Sequence, residues 1–261
     1  MAIRAIGTVS VSFGLVSIPV KVYSAVASSK EISFNLLDKE TGSRVKQQYV
    51  RATDGVTVVE RADMVKGYEY AKDQYLQFTN EEIKALDEIG TKSIEIEQVV
   101  PFSSIDPLYL STTYYLIPEK AVAKQYALFV QTLGDNAAIG RWVNRGRGHV
   151  VAIRALEGRF AMQVLNFESD VRKVEDYEVP APANAIKPAE LNLANQLLAS
   201  MMAPTFDPSS FKDEHQARLQ AAIEARMSGV AIPVEADAPA SKEVDLMAAL
   251  EASLSKSKSA L

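Results

Sequence analysis

Ile139-Gly140-Arg141-Trp142-Val143-Asn144-Arg145-Gly146-Arg147-Gly148-His149-Val150-Val151-Ala152-Ile153-Arg154-Ala155-Leu156-Glu157-Gly158-Arg159-Phe160 is the stretch on which the fold turns. It predicts a strand, an Arg-Gly-Arg-Gly turn, a second strand over Val150 to Ala155, and a further strand over Phe160 to Phe167. The same stretch holds Arg141, Arg145, Arg147, Arg154 and Arg159 against one acid, Glu157, in a chain of net charge −5. A guanidinium is planar, permanently charged and matched to phosphate oxygens, so a nucleic-acid backbone is the first partner to consider. A hairpin with one solvated basic face explains the same residues as simply.

Working upstream, period-2 alternation continues. Val9, Val11 and Phe13, then Ile18, Val20 and Val22, predict two strands across a Gly14 to Pro19 bend. Ile32, Phe34 and Leu36 predict a third. Val45, Gln47 and Tyr49 run toward Asp54-Gly55, read as a type I′ hairpin turn with Arg44, Lys46 and Gln48 on one face and Arg51 near the tip. Thr79 to Glu82 has capping-box spacing and opens a short helix stopped by Gly90. Ser93 to Val100 alternates with Ile94 and Ile96 inward and Glu95 and Glu97 outward, and Tyr109 to Ile117 is β-rich. Val122, Tyr126, Phe129, Val130 and Leu133 have helical spacing and end at Gly134.

Beyond Pro180 the pattern becomes helical. Pro188 fits the first turn of a helix carrying Leu191, Ala194, Leu198 and Met201. Asp207-Pro208 is read as cap and first residue of a second helix with Phe211, Leu219, Ile223 and Met227. The layout expected is a strand-rich core over 1–180, a helical arm over 181–229, a linker over 230–240 and a short helix over 241–261. Lys256 and Lys258 are placed past the end of that last helix, whose stripe is Leu246, Met247, Leu250 and Leu254.

Composition bounds the chemistry. The chain has 261 residues, 48% of them hydrophobic, enough for a proper core. It has no cysteine and only two histidines, His149 and His215, so neither disulfides nor a zinc site is expected. No apolar run approaches the roughly 18 residues that span a bilayer; neither signal peptide nor anchor is read, and a cytoplasmic setting is expected. Basic residues dominate from Ala2 to Lys30 and acids from Arg61 to Glu119, as when one face holds a polyanion. No catalytic motif is present, and no catalytic residue, cofactor or metal is assigned. Trp142 is read as core, Tyr68, Tyr70, Tyr114 and Tyr115 as barrel wall or interface, and Arg154 and Arg159 as solvated surface.

Several stretches, taken in order, resemble one family: the bacterial homologues of Ku, the DNA-end-binding protein of non-homologous end joining. They are Ser12-Phe13-Gly14-Leu15-Val16-Ser17-Ile18-Pro19-Val20-Lys21-Val22-Tyr23-Ser24-Ala25, Val65-Lys66-Gly67-Tyr68-Glu69-Tyr70, Ala138-Ile139-Gly140-Arg141-Trp142-Val143, Asp170-Val171-Arg172, Phe206-Asp207-Pro208 to Lys212-Asp213-Glu214, and Val244-Asp245-Leu246-Met247-Ala248-Ala249-Leu250 with Ser253-Leu254. The resemblance implies a mainly β fold with helices: a β-barrel core, extended bridge strands, an α-helical arm and tail, and a ring-shaped homodimer threaded by duplex DNA. It implies binding to double-stranded DNA ends through the sugar-phosphate backbone, here by Lys21, Arg44, Lys46, Arg51, Lys66, Arg141, Arg145 and Arg147. The apolar stripe Leu246, Met247, Leu250 and Leu254 suits either a fold back onto the protomer's own core or a partner groove; the resemblance implies recruitment of an ATP-dependent end-joining DNA ligase, with that stripe as its docking residues, and a nucleoid-associated place in the cell. Family members often carry an aromatic and a lysine where this chain has Ala5-Ile6, and many have a lysine-rich tail where it has only Lys256 and Lys258. A β-barrel that binds single-stranded nucleic acid through aromatics and a metal-dependent nuclease are the competing readings.

Overall fold

The structure is a computed structural model and describes residues 3–27, 32–87, 92–181, 186–230 and 246–259. The chain divides into two compact units: Met1–Ser29 with Asn35–Val174, and Lys30–Phe34 with Glu175–Leu261.

The first unit is built on a closed seven-stranded barrel. Strands β1 (Gly7–Phe13) and β2 (Val16–Ser24) pair antiparallel, with Val11 opposite Ile18. Their turn is tighter than the sequence suggested. Only Gly14 of the pair Gly14-Leu15 has a positive φ, 61°, the requirement of a type II′ turn, and Pro19 lies inside β2 opposite Ser10. Proline is tolerated there because the ladder to the next strand begins one residue later, at Val20. The remaining barrel strands are β5 (Ser93–Pro101), β6 (Leu110–Pro118), β7 (Asn136–Asn144), β8 (Arg147–Leu156) and β9 (Arg159–Leu165). Their order around the barrel is β1-β2-β6-β9-β8-β7-β5, closed by a short parallel pairing of β1 with β5. Alternate residues point inward: Val11, Ile18, Val20, Ile94, Leu116, Val151, Ile153, Phe160 and Met162 are fully buried. Each such side chain contributes about 1.5–3 kcal/mol.

Helix α2 (Ala123–Leu133) links β6 to β7 and closes one end of the barrel. It buries Tyr126, Val130 and Leu133 in the core, and Phe129 stacks on Phe13, the last residue of β1, at 4.5 Å. The Tyr126 hydroxyl donates to the Leu116 carbonyl (2.6 Å) and accepts from the Phe160 N–H (2.7 Å). At the opposite end of the barrel Gly7, Leu110, Asn144, Arg147 and Leu165 end their strands, flanked by the 3₁₀ turns Pro107–Tyr109 and Glu168–Asp170.

Between β2 and β5 the chain leaves the barrel. It forms the hairpin β3 (Lys66–Ala71) and β4 (Gln74–Phe78), then the short helix α1 (Asn80–Ala85), whose capping box is formed as expected: Thr79 Oγ1 accepts from Glu82 N–H, and Glu82 accepts from Thr79 N–H. No residue from 35 to 87 is buried. The third strand expected at Ile32 to Leu36 is not formed; one bridge, Leu37 to Arg44, stands in its place. At Asp54-Gly55 there is a bridge, Val50 to Val58, but not the type I′ turn, since Asp54 lacks a positive φ. The reason is local: the Asp54 carboxylate accepts from the N–H groups of Val56 and Thr57, an Asx turn that fixes a wider loop. Tyr68 and Tyr70 are on this excursion and exposed, so they are not barrel wall; Tyr114 is half-buried in the barrel.

The second unit holds α3 (Pro188–Met201), α4 (Glu214–Met227) and α5 (Leu246–Ser259), with α5 alongside α3. Pro188 opens α3 as expected. Asp207-Pro208 instead caps a single 3₁₀ turn, and α4 begins at Glu214, where Asp213 accepts from the Gln216 N–H. Phe211 is therefore extended and exposed, its ring 5.5 Å from Phe206. Lys256 and Lys258 lie within α5, not past its end. The helix stop at Gly90, residues 231–240 of the linker and the start of the last helix at Ser241 fall outside the described residues. Among the described residues no helix is long and apolar enough to cross a membrane.

Candidate nucleic-acid interface

The arginine stretch folds as β7, a two-residue turn and β8. Arg145 and Gly146 both have positive φ, 54° and 78°, the signature of a type I′ turn, and Asn144 pairs with Arg147 across it. Only the first Arg-Gly is the turn; Arg147-Gly148 opens β8. Gly146 is required twice over, because a Cβ there would also overlap the Asp87 carboxylate. Arg145 occupies a left-handed conformation that costs a non-glycine residue roughly 1–2 kcal/mol, at the exposed tip of the hairpin.

Strand parity separates the other arginines. Arg141 points outward from β7, opposite Glu95, and its Nε donates to Glu97 Oε1 at 2.8 Å. With 77% and 55% of the two side chains exposed, that ion pair contributes at most about 1 kcal/mol. It does commit the Arg141 charge to an acid. Arg147 is on the inner-face register of β8, two residues from His149 and four from the buried Val151. The sequence grouped Arg141, Arg145 and Arg147 together; the barrel puts the first on its outer wall and the last at its mouth.

Lys21 is exposed on β2, with β1 and β5 between it and β7. The remaining candidates lie on the 35–87 excursion, all exposed. Arg44 donates from Nη2 to Asn35 Oδ1 (2.7 Å), Lys46 follows it, Arg51 sits at the base of the Asp54 loop, and Lys66 begins β3 opposite Phe78. On β8, Arg154 corrects the expectation of a solvated side chain. It is half-buried, its guanidinium lies 4.8 Å from the Phe102 ring centroid, and its Nε is buried with no hydrogen-bond partner. The chain running from β5 to β6 brings Phe102 onto it, a crossover no periodicity announces. Arg159 is exposed beside the β8–β9 turn.

Sequence reasoning missed the acids Glu97 and Asp87 beside the arginines; both are separated from them by dozens of residues, and only strand pairing brings them close. Of the docking candidates on α5, Met247, Leu250 and Leu254 are half-buried, and Leu246 begins the helix. Among the described residues no three of His, Cys, Asp or Glu come together as a metal site.

Residues 12–193 match the family model described as the Ku70/Ku80 beta-barrel domain. A protein of Paraburkholderia phymatum named "Non-homologous end joining protein Ku" is 40% identical over 260 residues, covering 97% of this chain and 83% of its own length. Proteins of the same name from Koribacter versatilis and Heliobacterium modesticaldum are 38% and 33% identical, covering 95% and 99% of this chain and 84% and 94% of their own.

Proposed function

The chain belongs to the Ku family of non-homologous end joining proteins, and from that premise we propose that it is a non-catalytic DNA-end binder that works as a ring-shaped homodimer. Two copies enclose a double-stranded end without reading its sequence and deliver it to an ATP-dependent ligase. The observation that carries this reading is the excursion over residues 35–87. It has no buried residue, yet Leu36, Val56 and Tyr68 are 73%, 78% and 64% exposed. A segment with no fully buried residue, only Val59, Met64, Phe78 and Ile83 half-buried among its apolar side chains, does little to offset the entropy of its own ordering, and exposed apolar surface of this kind marks an interface. A second copy supplies the cover. The cations Arg44, Lys46, Arg51 and Lys66 on the same excursion, joined by Arg145 and Arg147, then face the phosphates. Lys21 and Arg141 stand on the outer barrel wall, and Arg141 must exchange Glu97 for a phosphate to take part.

Phosphate contacts hold a duplex without specifying its sequence, and a closed ring adds the preference for ends. Ligase recruitment is assigned to the α5 region through Leu246, Met247, Leu250 and Leu254. The packing of α5 on α3 makes release of that helix part of docking. The test compares linear duplex with relaxed closed circle of the same sequence, with mass and stoichiometry measured in parallel. Two chains per blunt end and strong preference for the linear form are expected; equal binding to the circle overturns the ring.

A further inference from the structure

The inner face of the barrel changes character along its length. Toward α2 it is apolar; toward the mouth three adjacent strands end in polar groups on the same inward register. β8 passes from Val151 to His149 and Arg147, β7 from Trp142 to Asn144, and β9 from Val164 to Asn166 just beyond its end, while on β6 a register shift between Leu110 and Thr113 brings Thr112 to the same rim. These groups enclose a cavity of about 250 Å³. Its floor is aromatic: Tyr114 meets Trp142 edge-on at 5.5 Å, and the His149 ring lies 6.0 Å from Trp142. Phe167, 41% exposed, and Asp170 complete the rim.

We propose that this mouth is a nucleotide cup, taking one unpaired nucleotide with its base inside and its phosphate on Arg147. The volume is below the roughly 300 Å³ at which drug-sized sites begin, so it suits a single ring system and not a folded peptide. Phe167 and His149 offer the flat surfaces on which any base can stack. Thr112, Asn144 and the side-chain carbonyl oxygen of Asn166, a residue whose side-chain N–H donates to the Leu108 carbonyl, supply hydrogen-bonding groups to the lining, and the Asp170 carboxylate accepts from the exocyclic amine of adenine, cytosine or guanine. Arg147 lies beside the turn that presents Arg145, so a strand whose phosphates meet that turn has its terminal base within reach of the cup. Only the origin of the nucleotide rests on the end-binding reading; a free nucleotide has the same chemistry.

Trp142 is the only tryptophan of the chain and lines the cup, so its fluorescence reports occupancy directly. The full chain is titrated with dAMP, dTMP, inorganic phosphate, a blunt duplex and the same duplex with a short single-stranded overhang, with duplex binding followed independently by anisotropy. The expected result is a saturable Trp142 signal with dAMP, weaker with dTMP and absent with phosphate alone. A Trp142 signal larger for the overhang than for the blunt end assigns the nucleotide to the strand terminus; equal signals assign it to a free nucleotide. Phe167→Ala, at an exposed side chain, weakens dAMP about tenfold, the loss of one stacking partner, and leaves blunt-duplex anisotropy unchanged. Asp170→Asn narrows the gap between dAMP and dTMP. No Trp142 response to dAMP while the duplex still binds overturns the cup alone, as does an equal response to inorganic phosphate. Loss of duplex binding in the unmodified protein instead overturns the end-binding reading.

Discussion

Tyr126 shows how one side chain ties a helix to a barrel. Its hydroxyl joins Leu116 of β6 to Phe160 of β9, while its ring meets Phe160 edge-on at 4.8 Å. Burial raises its pKa above the ordinary tyrosine value, with the Phe160 N–H working in the opposite direction. A raised folded value means that the neutral phenol is favoured in the fold. Its contribution is complete below the unfolded value near 10 and is lost as pH rises through the folded one. Tyr126→Phe is expected to cost about 1–3 kcal/mol at neutral pH by leaving buried backbone groups unpaired, and to flatten the fall in thermal stability above pH 10; a pH series of melting curves checks both. Gly140 makes a second point. A Cβ there would collide with the Glu95 carbonyl of the paired strand, so Gly140→Ala is expected to destabilise by about 1–3 kcal/mol in denaturant titration. The helical role of Tyr126 was legible from its spacing with Val122 and Val130, but its hydrogen bonds were not, because they depend on how α2 folds back over the preceding strand and on Phe160, a strand residue distant in the chain.

The β7–β8 hairpin separates charge from scaffold. Its strands were readable from β-formers on either side of the Arg-Gly repeats, and the position of the two-residue turn within those repeats was settled by pairing. Since Arg145 has a positive φ, glycine fits the turn without strain. Relief of that strain offsets the greater unfolded-chain entropy of glycine, so Arg145→Gly is expected to leave the melting temperature unlowered while lowering the magnitude of the salt slope of duplex binding by about 0.9, one phosphate contact. Arg141→Ala, which removes a cation already paired with Glu97, is expected to change that slope less; titrations over a range of salt measure both. The Asp54 loop was misread in type. Asn-Gly and Asp-Gly favour a tight turn, yet an Asp side chain can also satisfy backbone N–H groups itself, and here it does. The Thr57 hydroxyl, followed by the backbone N–H groups, holds the Asp54 carboxyl below its ordinary pKa. That local stabilisation is present at neutral pH and is lost as pH falls through the lowered value, which hydrogen exchange at Val56 and Thr57 would register.

The two units are a barrel with its excursion and a helical portion ending in α5. Deleting residues 241–261 is expected to leave binding to linear duplex intact and to abolish ligase stimulation; loss of both together would contradict the division of labour proposed above. Alternation of apolar and polar residues was enough to specify most barrel strands and their inward faces, since burial on one side of a strand imposes a period of two. A capping box specified α1, since an unpaired N-terminal amide needs an acceptor nearby in the chain, and Pro188 specified the start of α3, since proline has no amide to leave unpaired there. Family membership too was legible, in ordered stretches from Ser12 to Leu254. What waited for the three-dimensional fold was every relation between distant residues: the closure of β1 against β5, the pairing of Arg141 with Glu97, the covering of Arg154 by Phe102, and the polar mouth around Trp142. Each depends on strand order and crossover path, which are set by how the whole core packs and leave no periodic trace in the chain.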